Sequence, residues 1–118
     1  MGMTVWVDSW QMQCCGEPFR IGTQVAWPLG PVGRGWLAEL LGPDARQTVD
    51  AAQERHGAVP DDTVPTRGTV TRITAVHGRF AAKASPDSAV LTDLDSADGR
   101  TADRGDLRFV GYLVRLRL

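Results

Sequence analysis

Over residues 107–118, large apolar side chains recur at every second position: Val110, Tyr112, Val114, Leu116 and Leu118 fall on one side, Leu113, Arg115 and Arg117 on the other. A period of two marks an extended strand that buries one face. A strand of this kind needs other strands to pair with, and four more segments supply them. Residues 68–81, GTVTRITAVHGRFA, are rich in β-branched side chains, which suit a pleated, half-buried surface. Within that run Val70, Ile73 and Val76 are spaced by three, so strict alternation breaks and a β-bulge is expected. Residues 3–10 alternate Val5 and Val7 with Trp6, Asp8 and Trp10. That pattern puts two Trp on one face of a central strand. Residues 21–29 place Ile21, Thr23, Val25, Trp27 and Leu29 on one side, and Pro28 ends the ladder because it has no backbone donor. Residues 89–94 form a short further strand.

The helical part lies in the middle, as an insertion over about residues 36–57. Trp36 to Leu41 is a short helix that stops at Gly42. Pro43 suits the first turn of a second helix, where its missing N–H is not needed. That helix is expected from about Asp44 to His56, with Gly57 at its C-terminus. Its apolar stripe, Ala45, Val49 and Ala52, is thin, so it should lie on the surface of the fold. Gly16 and Pro18 mark a turn, with Phe19 as an anchor beyond it. Residues 28–35, 58–66, 83–88 and 96–105 read as connectors, the last with an Asp98-Gly99 hairpin signal.

The expected order is β-β-α-β-β-β. Five short strands that each bury one face must close or pack on themselves. A mainly β fold follows: a five-stranded, partly open barrel of SH3-like or OB-like type, with the helical insertion between strands two and three. A curled sheet crossed by the helix is the alternative. The 118 residues match one domain, 1–118.

Charge and composition exclude several function classes. The formal net charge is −1 and no basic run is present, so the electrostatic footprint of a general nucleic-acid binder is missing. No apolar run approaches membrane-spanning length. The N-terminus lacks the basic and apolar regions of a signal peptide. Two adjacent cysteines, Cys14 and Cys15, do not make a disulfide scaffold of separated pairs. Reduced thiols in the cytosol fit that spacing better, and the cytoplasm is the expected location.

The sharpest local feature is the run from Trp10 to Phe19, WQMQCCGEPF. Thiolates act as nucleophiles, metal ligands or redox groups, and Cys14 and Cys15 admit each reading. Zinc would need two more ligands, which only His77 and His56 supply besides carboxylates, and no zinc spacing is present. A Cys-His-Asp set from Cys14 or Cys15, His77 and Asp8 is available in composition, yet nothing in the spacing demands it. The structural alternative makes the cysteines small buried hydrophobes beside a turn. It makes His77 a structural or surface histidine and His56 a helix C-terminal residue favoured by the dipole. The acidic segment at Asp93, Asp95 and Asp98 misses the EF-hand pattern, because Gly99 falls one place late. GPVGRG lacks the Lys and the setting of a phosphate loop. Arg72, Arg79, Arg108, Arg115 and Arg117 lie on or near the two best strands, where they would form either an anion-binding patch or a solvated face.

The motif Trp10-Gln11-x-Gln13-Cys14-Cys15-Gly16-x-Pro18-Phe19, preceded by Val5-x-Val7 and followed by Gly22-x-x-Val25-x-Trp27, resembles that of a family of small uncharacterised actinobacterial proteins. The resemblance extends to Gly68-Thr-Val-Thr-Arg-Ile and to Phe109-Val-Gly-Tyr-Leu-Val. It implies a domain of unknown function and transfers no catalytic residue. The small-barrel reading, with no coherent catalytic set beside it, makes the expectation a non-enzymatic binding module without cofactor. Its ligand-binding candidates are Trp10, Cys14, Cys15, Arg72 and His77, for an unidentified protein or small-molecule partner. Two further expectations stand beside it: a thiol or zinc site at Cys14 and Cys15 with His77 or His56, and a homodimer paired through an edge strand.

Overall fold

The computed structural model describes residues 1–32, 36–54, 62–80, 85–86 and 88–118, with the backbone alone at Cys15 and Trp36. The elements are β1 (Gly2–Asp8), α1 (Ser9–Cys15), β2 (Phe19–Arg20), β3 (Gln24–Trp27), β4 (Leu29–Gly30), α2 (Trp36–Leu41), α3 (Pro43–Gln47), β5 (Ala51–Gln53), β6 (Thr66–Gly78), β7 (Val90–Leu94), β8 (Ser96–Ala97) and β9 (Arg108–Arg117).

The main sheet runs β3-β6-β9-β1-β5-β4, with β7 paired to β6 beyond β3. β3 and β4 stand at opposite ends of that order, yet only Pro28 separates them in the chain. One extended run therefore joins both ends, and the sheet nearly closes into a barrel. Pro28 sits at the switch because it can donate to neither ladder, while its carbonyl accepts from the Glu54 N–H at 2.9 Å. Every pairing in the barrel is antiparallel except β1 with β5. A second, two-stranded sheet pairs β2 with β8.

Inside the barrel, Val5 and Val7 of β1, Val70, Ile73 and Ala75 of β6, and Tyr112, Val114 and Leu116 of β9 form one cluster with Met12, Phe19 and Trp27. Phe19 and Trp27 meet edge-on with centroids 5.1 Å apart, and Phe109 and Tyr112 meet at a tilt, 4.9 Å apart, contacts that add to the area the rings bury. The Tyr112 hydroxyl, fully buried, accepts from the Gly99 N–H at 3.2 Å and bonds Thr101 Oγ1 at 2.7 Å. The polar connector between β8 and β9 is thus fastened to the core.

A second cluster lies outside the barrel. Trp6 and Val76 project from the opposite side of the same strands and meet Leu37, Leu40 and Leu41 of α2 and Val49. The closeness of this layer shows at Gly78, where an added methyl would overlap the Leu40 side chain. At Gly111, φ +157°, an added methyl would meet the Trp6 ring at 2.7 Å.

Two bulges decide which face each residue takes. Val70 pairs Leu116 while Arg72 pairs Arg115, so Thr71 is the extra residue in β6. This is the bulge that the Val70, Ile73, Val76 spacing predicts. A second bulge matches Val76 to Gly111 and His77 to Phe109, leaving Val110 as the extra residue in β9. Val110 consequently turns outward to the outer cluster, not inward with Tyr112. Leu118, also expected on the buried side, is exposed.

Several expectations need correction. Residues 9–10 belong to α1, because the Asp8 carboxylate accepts the Trp10 N–H and caps a helix there. Trp6 and Trp10 therefore do not share a strand face. Residues 21–29 are not one strand: Ile21 and Gly22 turn, and Pro28 divides the rest. The second helix ends at Gln47, and Ala51–Gln53 becomes β5 instead. Pairing with the free side of β1 outweighs the helix propensity of that segment. The expected capping of that helix by His56 and Gly57 lies outside the described residues. β9 is an interior strand between β6 and β1 and offers no edge, whereas β7 pairs, among the described residues, with β6 alone.

Candidate functional site

The outer face of β1, β9 and β6 is apolar where the helices cover it and polar where they do not. On the uncovered part, register sets the side chains in rows. Thr4, Arg115 and Arg72 are successive partners across β1, β9 and β6. The next row, Trp6, Leu113, Thr74 and Asp93, the last from β7, runs from beneath the helices, where Trp6 is buried, into the open part. Thr4, Arg72, Thr74, Asp93, Leu113 and Arg115 line a groove of about 570 Å³, bounded also by Thr48 and Leu91.

Arg72 and Asp93 face each other as a fork. Nε donates to Oδ1 and Nη2 to Oδ2, both at 3.1 Å, and Thr74 Oγ1 adds a third bond to Oδ1 at 3.1 Å. These bonds, the one from Arg72 first, hold the Asp93 carboxyl below its ordinary value, and the Asp93 bond raises Arg72 in turn. Both side chains are well exposed, so the pair contributes little to stability.

Arg115 differs. Its Nη1 donates to Thr4 Oγ1 at 3.3 Å, and among the described residues it makes no ion pair. It also stands directly opposite Arg72. Like charges facing each other across strands are destabilising, and Asp93 offsets only one of the two. A guanidinium presents five donors in a planar fork suited to oxyanions. The open part of the groove can therefore accept an anion.

The remaining sequence candidates are dispersed. Trp10, 53% exposed, shares the outward face of α1 with Gln13 and Cys14. Gln11 and Met12 turn inward, and Gln13 Nε2 donates to the Gly99 carbonyl at 2.8 Å. Much of the cysteine-bearing motif thus serves to seat α1 on the barrel. Cys14 is disulfide-bonded, which overturns the expectation of reduced thiols and removes it as a free nucleophile. The Cys15 side chain and His56 lie outside what the structure describes. Among the described residues no group of three or more His, Cys, Asp or Glu could hold a metal ion.

His77 is buried in the barrel wall, 1% exposed. Its Nε2 bonds the Ala102 carbonyl at 2.8 Å, its ring meets Phe109, and Nδ1 has no partner among the described residues. A carbonyl only accepts, so Nε2 carries the proton. The structure does not join His77 to α1 or to Asp8. Of the five arginines, only Arg72 and Arg115 line this groove. Arg117 lines a second one with Arg67, Gln24 and Thr69. Arg79 pairs Asp106 at 3.0 Å, and Arg108 lies over the Phe80 ring.

Sequence reasoning reached Arg72 and Arg115 but missed Thr4, Thr74 and Asp93 as their companions. Strand register brings those together, and the Thr71 bulge that sets it was only partly legible. It also missed that Asp8 is perturbed. Burial pushes the Asp8 carboxyl up, against bonds from the Trp10 N–H and from the Trp6 and Trp10 side chains, and Glu54 adds negative charge nearby.

No helix of the described chain is long and apolar enough to cross a membrane. No curated protein and no solved structure matches the chain. A family model, described as a family of unknown function (DUF6578), matches residues 1–118, and the chain belongs to that family.

Proposed function

Starting from membership in a family without an assigned activity, we propose that this chain is a non-enzymatic binding module that takes an anionic ligand on the outer face of its barrel. One observation carries the reading: Arg115, without a carboxylate partner among the described residues, faces Arg72 across β9 and β6 in an open groove. The neighbouring polar groups are hydrogen-bonded side chains without an evident nucleophile, and an array of this kind suits binding better than turnover.

Thermal unfolding in graded inorganic phosphate or sulfate at fixed ionic strength tests it. A ligand that binds only the folded state raises Tm with its concentration. The expected result is a saturable rise for the wild type that Arg115→Ala abolishes. An identical response from both proteins, or none from either, overturns the reading.

A cytoplasmic setting belongs to the same proposal. The disulfide at Cys14 pulls against it, since the cytosol keeps thiols reduced. Alkylation of Cys14 in intact cells would support that setting, and full protection would oppose it.

A further inference from the structure

The groove is asymmetric in what its polar atoms have left to give, and this asymmetry deepens the anion reading on which it rests. At the Arg115 end the spare capacity is donor. Arg115 commits one Nη1 bond, to Thr4 Oγ1, and the Thr4 hydroxyl keeps its own hydrogen. At the other end the spare capacity is acceptor. Asp93 receives three bonds, while a carboxylate has about four acceptor positions, so Oδ2 retains room. Thr74 Oγ1 has given its hydrogen to Asp93, and Thr48 Oγ1 has given its own to the Ala45 carbonyl at 2.7 Å. Both keep only lone pairs. A bare anion would satisfy the first end and be repelled by the second.

We infer that the ligand is a small polyol bearing one anionic group, with the anion on Arg115 and Thr4 and its hydroxyls donating to Asp93 and the two threonine oxygens. Leu113 and Leu91 supply apolar wall against which the carbon skeleton can lie. The volume of about 570 Å³ falls within the range of small-molecule sites, about 300–1,000 Å³. Asp50 limits the site on the β5 side. Its carboxylate accepts the Thr4 N–H at 2.7 Å, so the anion must stay on the Arg115 side of Thr4. A phosphate and a carboxylate share this chemistry, and sugar phosphates and sugar acids are the two sources.

Calorimetric titration of the full chain with ribose 5-phosphate, gluconate, inorganic phosphate, acetate and ribose tests the inference. At least one polyol anion should bind about tenfold more tightly than its bare anion, the worth of one charge-assisted hydrogen bond, and ribose should bind most weakly. Tighter ribose 5-phosphate identifies phosphate as the anion, and tighter gluconate identifies carboxylate. Asp93→Asn should shrink the polyol advantage to about threefold or less while strengthening inorganic phosphate, because Arg72 is released. If polyol anions bind no better than bare anions, or if Asp93→Asn leaves the ratio unchanged, the polyol inference falls while the anion reading stands. If none of the anions binds, both fall together.

Discussion

Two halves of one sheet face, built from the same strands, are finished in different ways. On the half bearing Trp6 and Val76, α2 lays Leu37, Leu40 and Leu41 over the strands and excludes water. On the half bearing Thr4, Arg72 and Arg115, no helix among the described residues covers the strands, and the side chains there are polar or charged apart from Leu91 and Leu113. The inner face beneath both is the barrel core. Stability is thus supplied by the inner face and the covered half. The uncovered half sets Arg72 and Arg115 at partner positions of β6 and β9, with one guanidinium drawn to Asp93 and the other to Thr4, and neither contributes to an apolar core.

Substitutions should separate the two halves by size of effect. The largest is expected on the covered side. Leu40→Ala removes a fully buried side chain that touches the strands near Gly78, and should cost about 2–5 kcal/mol in denaturant unfolding. A loss below about 1 kcal/mol would show that the helical layer is loosely held. On the open side, Arg115→Ala should change stability by no more than about 0.5 kcal/mol, since it removes an exposed side chain facing a like charge. A large loss there would make Arg115 a structural residue and erase the contrast.

A smaller effect compares Asp93, in the groove, with Asp8, where β1 meets α1. Folding lowers the Asp93 pKa from 3.8, so its contribution is present above that value and is lost as pH falls through the depressed one. Folding raises the Asp8 pKa from the same 3.8, so its contribution is complete below that value and is lost as pH rises through the elevated one. Between pH 3 and 7, the Tm of Asp8→Asn relative to wild type should climb with pH, and Asn still caps the helix. The Tm of Asp93→Asn relative to wild type should decline with pH over the acid end of that range. Parallel trends in the two variants would contradict the opposite environments assigned to them.

Much of this architecture could be read from residue order. The alternation through Tyr112, Val114 and Leu116 located β9 and its buried side, the Val70, Ile73, Val76 spacing located a bulge, and Pro28 located a break. What was not legible depended on partners distant in sequence. Ala51–Gln53 has no strand pattern of its own and is extended because β1 has a free side for it. Val110 faces outward because the β6–β9 register slips there, which neither strand reveals alone. Alternation through Trp10 mimicked a strand until the Asp8 cap turned the chain into α1. The groove was half legible for the same reason. Its arginines lie on evident strands, but Asp93 sat in an acidic stretch that pointed to no chemistry until pairing set it beside Arg72.

The most direct test of the division between halves is an amide chemical-shift titration of the folded protein with inorganic phosphate. The account predicts saturable shifts at Thr4, Arg72, Thr74, Leu113 and Arg115, little change at Leu37, Leu40 and Val49, and loss of the response in Arg115→Ala. Shifts centred on the helix-covered half, or a response in the groove that survives Arg115→Ala, would contradict it.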